Sequence, residues 1–325
     1  MQEDLALVIP VWNLPEDLSA LLRQAADLGV FTEVIVSDDG SSENCDPRAL
    51  GFTDENLGAK LVYLRSDEQK GAGHARNIAL KQVTAGNLLF FDADDQLTPD
   101  FARIWAQHLK AGAPDFTIFR HTDTRVRDNE EREGTFLPEE ALWDRALGQR
   151  QVQMLTLDDR ATLSTISAYP WNKIYRTGFL REHDITCSET PVHNDIRLHW
   201  LSFVHARDIQ ATRTLGAVHV IGDRGHHLTT RRGTDRLCLQ NILSDLTRDI
   251  RAAGAGSLLM QNYIHFVDNV CRWNLNQIDG SLAPQFRALA KQAYLDFQPD
   301  EFNIFARARP AQAKAIVDFL LKEGA

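Results

Sequence analysis

The sequence predicts an α/β fold in which a doubly wound, mostly parallel sheet is flanked by helices and followed by a C-terminal helical extension. Three observations predict it. Short apolar runs alternate with helix-patterned segments through roughly the first 120 residues, the order expected of strands joined by crossover helices. Acidic residues stand at or just beyond the ends of several of those runs, where ligands bind in such sheets. After Arg231-Arg232-Gly233 the apolar pattern becomes purely helical.

In order, residues 5–11 are an apolar run suited to a buried parallel strand. Residues 15–29 carry Leu18, Leu21, Leu22, Ala25 and Leu28 at helical spacing, and Gly29 suits the position just past the helix end. Strands are expected at 34–37 and 61–64, a helix at 72–84, a fourth strand at 87–92, a helix at 99–110 and a fifth strand at 115–119. Residues 121–133 are polar and charged and read as a long loop. From 138 to about 163 the pattern is helical, 171–175 is extended, and 193–204 is a helix with Ile196, Trp200 and Phe203 on one face. Beyond it, Leu239, Ile242, Leu246 and Ile250 begin a tail of three or four helices, broken at Gly254-Ala255-Gly256 and around Asp279-Gly280. The expected division is residues 1–235 for the α/β domain and 236–325 for the helical extension. The apolar stripes of that extension fit packing on the core, homodimerisation or contact with a membrane.

Composition excludes some classes. Apolar residues at 43% and charged residues at 25% suit a soluble globular chain. A net charge of −10 argues against a nucleic-acid partner, and an anionic ligand would need local donors or a metal ion. Cys45, Cys187, Cys238 and Cys271 are far apart, with neither zinc spacing nor a disulfide framework. There is no basic leader region, and no apolar stretch approaches the roughly 20 residues a membrane span needs. The cytoplasm is the expected location, including the inner face of a membrane.

Three segments carry chemistry. Asp92-Ala93-Asp94-Asp95 follows the apolar Leu89-Phe90-Phe91, so its carboxylates are held at a strand end, and two acids one residue apart suit Mg²⁺ or Mn²⁺. An acidic turn is the competing reading. Asp38-Asp39-Gly40-Ser41 follows the second strand, where an acid can accept hydrogen bonds from a nucleoside or merely form a polar turn. Gly71-Ala72-Gly73-His74-Ala75-Arg76-Asn77 opens a helix, where glycines let backbone amides approach an anion and Arg76 can donate to phosphate.

With Pro10-Val11-Trp12-Asn13 placed before them, these segments occur in an order that resembles the nucleotide-binding half of the family-2, GT-A-fold inverting glycosyltransferases of bacterial type. The likeness covers roughly residues 5–110 and continues more loosely through Pro170-Trp171-Asn172-Lys173-Ile174-Tyr175-Arg176. It implies that Pro10, Trp12 and Asn13 line a base pocket. It further implies that Asp39, with Asp38, accepts from uracil and that Arg76 reaches the nucleotide. Asp92 and Ala93 would contact the nucleotide-sugar, Asp92 also joining the metal shell, and Asp94 would ligate Mn²⁺ or Mg²⁺ directly. The family's base usually lies in a Glu-Asp pair; the matching segment here has Asn194 and Asp195, so Asp195 is implied as the base, with Glu189 in reserve. Asp195 also reads simply as an acid at a helix N-terminus. Arg231 and Arg232 resemble a basic segment folded over the diphosphate, with His226 or His227 as a further metal ligand.

The implied reaction is an in-line displacement from a UDP-linked donor to a hydroxyl of a saccharide or glycolipid acceptor. Two rivals are weighed by position. A haloacid-dehalogenase-type phosphatase carries its D-x-D after the first strand, and a nucleotidyltransferase carries a Gly-rich N-terminal loop where Pro10-Val11-Trp12-Asn13 stands here. A glycosyltransferase-like scaffold without turnover is the non-enzymatic alternative.

Overall fold

The computed structural model describes residues 3–221 and 231–322. β1 (Leu5–Val11), α1 (Pro15–Leu28), β2 (Glu33–Asp38), α2 (Asp54–Leu57), β3 (Lys60–Arg65), α3 (Ala72–Gln82) and β4 (Asn87–Phe90) form the first half. β5 (Gln96–Leu97), α4 (Phe101–Lys110), β6 (Phe116–Asp123), α5 (Thr124–Glu130), α6 (Leu137–Leu147), β7 (Val152–Met154) and α7 (Leu157–Leu163) follow. β8 (Lys173–Arg176), α8 (Thr177–Glu182), α9 (Ile196–His205) and β9 (Ile209–His219) complete the sheet. The tail holds α10 (Leu239–Ala252), α11 (Ser257–Gln277), α12 (Ala283–Leu295), α13 (Pro299–Ala308) and α14 (Pro310–Leu321), with a 3₁₀ turn at Thr234–Cys238 before it.

The sheet runs β3-β2-β1-β4-β8-β6-β9-β5, and β7 pairs with β9. β1 to β4 are parallel neighbours, whereas β8 enters antiparallel to both β4 and β6. Both faces are covered, which is why β1 reads as an unbroken apolar run. Leu5, Leu7, Ile9 and Val11 pack with Leu18, Leu21 and Leu22 of α1 and Phe101 of α4. Ala6 and Val8 point the other way, into the core shared with Leu80, Phe116 and Trp200. Pro15 opens α1, Glu16 and Asp17 sit in its first turn, and Gly29 closes it at φ 60° with its N–H on the Ala25 carbonyl.

The tail packs on that second core. Trp200 of α9 is fully buried, its ring centroid 5.1 Å from Tyr263 and 5.3 Å from Phe266 of α11. Ile242 and Leu246 of α10 and Val267 of α11 belong to the same apolar body as Val8 and Phe90.

Four local expectations change. The stretch 121–133 is not a loop: β6 runs to Asp123, whose side chain accepts from Arg125 N–H and caps α5. The helical pattern at 138–163 is split, because Gly148 at φ 56° ends α6 and β7 intervenes before α7. β9 has no counterpart in the sequence reading. Its inward positions include Gln210, Thr212 and Thr214, all buried and polar, so no apolar alternation marks it. Among the described residues the tail has five α-helices, since Pro310 starts a new one directly after α13.

Candidate active site

One cleft of about 1180 Å³ opens over the carboxyl ends of β1 and β4. Its walls include Pro10, Trp12, Asn13, Asp39, Arg76, Asp92, Ala93, Asp94, Asp195 and Arg231, residues far apart in sequence.

The β1 and β2 ends are tied together by Asn13, which sits at φ 54°. Its N–H donates to Ser41 Oγ at 2.9 Å, and its Oδ1 accepts from the N–H groups of Ser42 at 2.7 Å and Glu43 at 3.0 Å. The two neighbouring acids then part company. Asp38 is fully buried: Oδ1 accepts from Ser41 N–H at 2.8 Å and Oδ2 from the Tyr63 hydroxyl at 2.7 Å. It braces the loop from behind and does not line the cleft. Asp39 does line it, and its oxygens accept from Lys70 N–H at 2.8 Å and Gly71 N–H at 2.7 Å, fixing the start of α3. Gly40 must be glycine here, at φ 75° with a Cβ position 2.8 Å from the Glu68 carbonyl carbon.

α3 is the hub. A Cβ on Gly73 would stand 2.0 Å from the Ser188 carbonyl oxygen, so the bare backbone lets segment 188–195 lie against the helix. Asn77 Nδ2 donates to Cys187 O at 3.0 Å and to Glu189 Oε1 at 3.1 Å, and His74 Nδ1 meets Glu189 Oε2 at 2.9 Å. Burial alone would raise the Glu189 carboxyl, but the hydrogen bonds from His74 and Asn77 outweigh it and hold it low. Glu189 therefore serves as a tether outside the cleft wall. Arg76, nearly buried, donates to Asn194 Oδ1 at 2.7 Å and pairs with Asp92. Burial would pull its proton off, yet Asp92 more than compensates and keeps the guanidinium charged.

At the end of β4, Asp92, Asp94 and Asp95 all line the cleft; Asp92 and Asp94 are partly exposed, whereas Asp95 is buried and accepts from Val220 N–H at 2.9 Å. Burial, with Asp94 and Asp92 close by, pushes the Asp95 carboxyl well above the ordinary range. The two partly exposed carboxylates, Asp92 and Asp94, are hard oxygen donors that would suit a Mg²⁺ or Mn²⁺ ion. Among the described residues, no group of three or more His, Cys, Asp and Glu side chains is placed to hold a metal by itself.

Asp195, next to Asn194, opens α9 and lines the cleft, partly exposed yet set among protein atoms. Burial raises its carboxyl to about 6; Arg76 pulls it down and Asp92 pushes it up. Behind it lies Lys173, fully buried, with Nζ donating to Tyr169 O at 2.6 Å and Asn172 Oδ1 at 2.7 Å. Burial brings that ammonium down to about 7.

Several residues in the cleft, and His121 packed beside it, escaped the sequence reading. Tyr169 stacks on Trp171 with centroids 4.6 Å apart, and His219 lies 4.8 Å from Tyr169. His121 stands edge-on to Trp171 at 4.8 Å, and burial brings it down to about 3. His121 fell in the stretch read as a loop and His219 in the unrecognised β9. Trp273, Phe266 and Val270 of α11 form a further wall, which helical periodicity alone cannot assign to a cleft. Arg231 is in the wall and pairs with Asp235 at 2.9 Å. Arg232 is exposed outside it, its carbonyl accepting from Asp279 N–H at 2.9 Å. His226 and His227 lie outside the described residues.

A mixed, mostly parallel sheet with a cleft over its carboxyl edge and acidic residues after β4 lining that cleft defines a class of α/β protein, which known proteins identify. The family model "Glycosyl transferase family 2" matches residues 6–183, more than half of the chain, and the chain belongs to that family. It is 31% identical over 91 residues to the UDP-Glc:α-D-GlcNAc-diphosphoundecaprenol β-1,3-glucosyltransferase WfgD of Escherichia coli, across 28% of this chain and 34% of that protein. It is 25% identical over 231 residues to the poly(ribitol-phosphate) β-N-acetylglucosaminyltransferase TarS of Staphylococcus aureus, across 70% of this chain and 35% of that protein. The chain thus spans about a third of the length of these relatives. The fold is the GT-A fold of TarS: the crystal structure of TarS 1–349 with UDP-GlcNAc superposes with a TM-score of 0.75 at 17% identity, covering 98% of this chain and 89% of that one. The mannosyltransferase PcManGT from Pyrobaculum calidifontis, in complex with GDP-Man and Mn²⁺, gives 0.51 at 15% identity, covering 98% and 84%. No helix among the described residues is long and apolar enough to cross a membrane.

Proposed function

We propose that this chain is an inverting, metal-assisted glycosyltransferase that moves a sugar from a UDP-linked donor to a hydroxyl of a saccharide or glycolipid, acting in the cytoplasm. Residues 1–235 would form the catalytic domain and 236–325 its helical extension. The observation that carries the reading is the Arg76 bridge, which joins Asp92 at the end of β4 to Asn194, beside Asp195, within one cleft. Family membership supports sugar transfer as the reaction class. The named activity of WfgD and the UDP-GlcNAc complex of TarS support a UDP-linked donor.

In this reading Pro10, Trp12 and Asn13 hold the base, and Asp39 accepts from it while Asp38 braces the loop. Arg76, Asp92, Ala93 and Arg231 hold the diphosphate-sugar, and Asp94 with Asp92 would bind the ion. Mg²⁺ or Mn²⁺, when bound there, supplies positive charge to the leaving diphosphate. The ionised Asp195 takes the proton of the acceptor hydroxyl as that oxygen forms its bond to the anomeric carbon. The bond from that carbon to the diphosphate breaks, the electron pair leaves with the diphosphate, and configuration inverts. Arg76 and Arg231 stabilise the charge that develops.

The rival, a nucleotide-binding protein without turnover, draws on Asn194 standing where the family has Glu. Release of UDP from UDP-sugars in the presence of Mn²⁺ separates the two. The wild type should release UDP, and Asp195→Asn should lower the rate about 100-fold or more while still binding UDP. Equal rates in both proteins would dismiss Asp195 as the base, and UDP binding with no release by the wild type would favour the scaffold.

A further inference from the structure

The cleft continues past Asp195 to a wall built by the helical extension. On that wall Trp273 of α11 is 39% exposed, although Tyr263 of the same helix is fully buried. The guanidinium of Arg236 lies 4.7 Å from the Trp273 ring centroid, and the His193 ring stands edge-on to it at 6.0 Å. A large exposed indole costs solvation, and its flat apolar face suits the C–H face of a sugar ring, leaving the hydroxyls for hydrogen bonds.

His193 supplies an acceptor for such a hydroxyl, and its tautomer follows from its neighbours. Asn274 is fully buried, and its Nδ2 donates to Val270 O at 2.8 Å. Its Oδ1 accepts from Arg236 Nη1 at 2.7 Å, and a guanidinium can only donate. The amide orientation is therefore settled from both ends, and the same Oδ1, 3.0 Å from His193 Nε2, requires a proton on that nitrogen. Burial keeps the ring neutral, bringing it down to about 4, which leaves Nδ1 with its lone pair. The ring lines the cleft at φ 59°, a left-handed conformation that histidine seldom adopts, two residues before Asp195.

We propose that this wall is the acceptor subsite: a saccharide ring stacks on Trp273 and donates a hydroxyl hydrogen bond to His193 Nδ1, bringing a neighbouring hydroxyl to Asp195. Asn274 is the positioning residue that holds the histidine in its Nε2–H form. This assignment rests on the glycosyltransferase reading above.

The test uses the full chain with Mn²⁺ and whichever of UDP-glucose, UDP-galactose and UDP-N-acetylglucosamine it splits fastest. The acceptor probes are glucose, N-acetylglucosamine and glycerol, the last having hydroxyls but no ring face. The measurements are acceptor KM and the ratio of sugar transferred to sugar lost to water. For Trp273→Ala that ratio should fall about tenfold more for the two ring acceptors than for glycerol, with KM raised, and Trp273→Phe should recover most of it. His193→Ala should show the same selective loss, whereas His193→Asn, which tolerates the backbone and offers an oxygen, should retain transfer. Leu295→Ala, remote and 65% exposed, should match the wild type. Equal losses for rings and glycerol, an unchanged ratio in Trp273→Ala, or a wild type that splits donor but glycosylates neither ring would overturn the subsite. Absence of any UDP release by the wild type would instead overturn the transferase reading beneath it.

Discussion

Replacing Arg76 by methionine removes a nearly buried guanidinium that pairs with Asp92 and donates at 2.7 Å to Asn194. Breaking a buried ion pair by deleting one partner costs about 3–5 kcal/mol, because the remaining charge is stranded. Water reaches Asp92, whose side chain is 29% exposed, which trims the expected loss to about 2–4 kcal/mol. The same charge also holds the Asp195 carboxyl below the value that burial alone would give. Its removal should therefore move the acid limb of the rate profile upward from about 6. Arg76→Lys keeps the charge but lacks the planar fork that serves two oxygens at once, so it should lose only about 1–2 kcal/mol and leave the limb in place. Urea unfolding followed by tryptophan fluorescence gives the first quantity, and the pH profile of UDP release gives the second. A methionine variant as stable as the wild type, with an unmoved limb, would refute the idea that Arg76 couples the two acids.

Three further outcomes follow from the geometry. Asp195 must be ionised to act as a base, so wild-type kcat/KM should fall about tenfold from pH 7 to pH 5 as the pH drops through a carboxyl raised to about 6; a flat profile over that range would remove it from the role. Gly73→Ala puts a methyl group 2.0 Å from the Ser188 carbonyl, which should cost about 1–3 kcal/mol and, by shifting segment 188–195, lower kcat more than donor affinity; kinetics and unfolding together check this. Trp200→Ala should cost about 3–5 kcal/mol by emptying the junction between α9 and α11, with the loss read by thermal or urea unfolding.

How much was legible depended on how each residue is held. β1, β2 and β4 were readable because strands covered on both faces carry continuous apolar runs, here residues 5–11, 34–36 and 88–90. β9 was not, since Gln210, Thr212 and Thr214 are buried with their hydrogen bonds met inside the protein, for instance Thr212 to Thr214 at 3.1 Å. Asp38 and Asp39 look equivalent in the sequence, but one faces Tyr63 and the other the cleft, and only the twist of the chain after β2 decides between them. The convergence of Asp39, Asp92, Asp94 and Asp195 could be anticipated from strand ends and motif order. The aromatic group of His121, Tyr169, Trp171 and His219 could not, because it draws on β6, β9 and the segment before β8, whose adjacency comes from sheet order. Trp273 is hidden for a related reason: an apolar stripe states that a helix has a face, not which end of it reaches a cleft.

The central claim is a single displacement at the anomeric carbon with Asp195 as base. Its most direct measurement is the proton NMR coupling of the anomeric hydrogen in product formed from an α-linked UDP-sugar, recorded before mutarotation or secondary hydrolysis. A β-configured product is the expected result. An α-configured product would mean that configuration is retained, and one in-line attack in this cleft could not be the reaction.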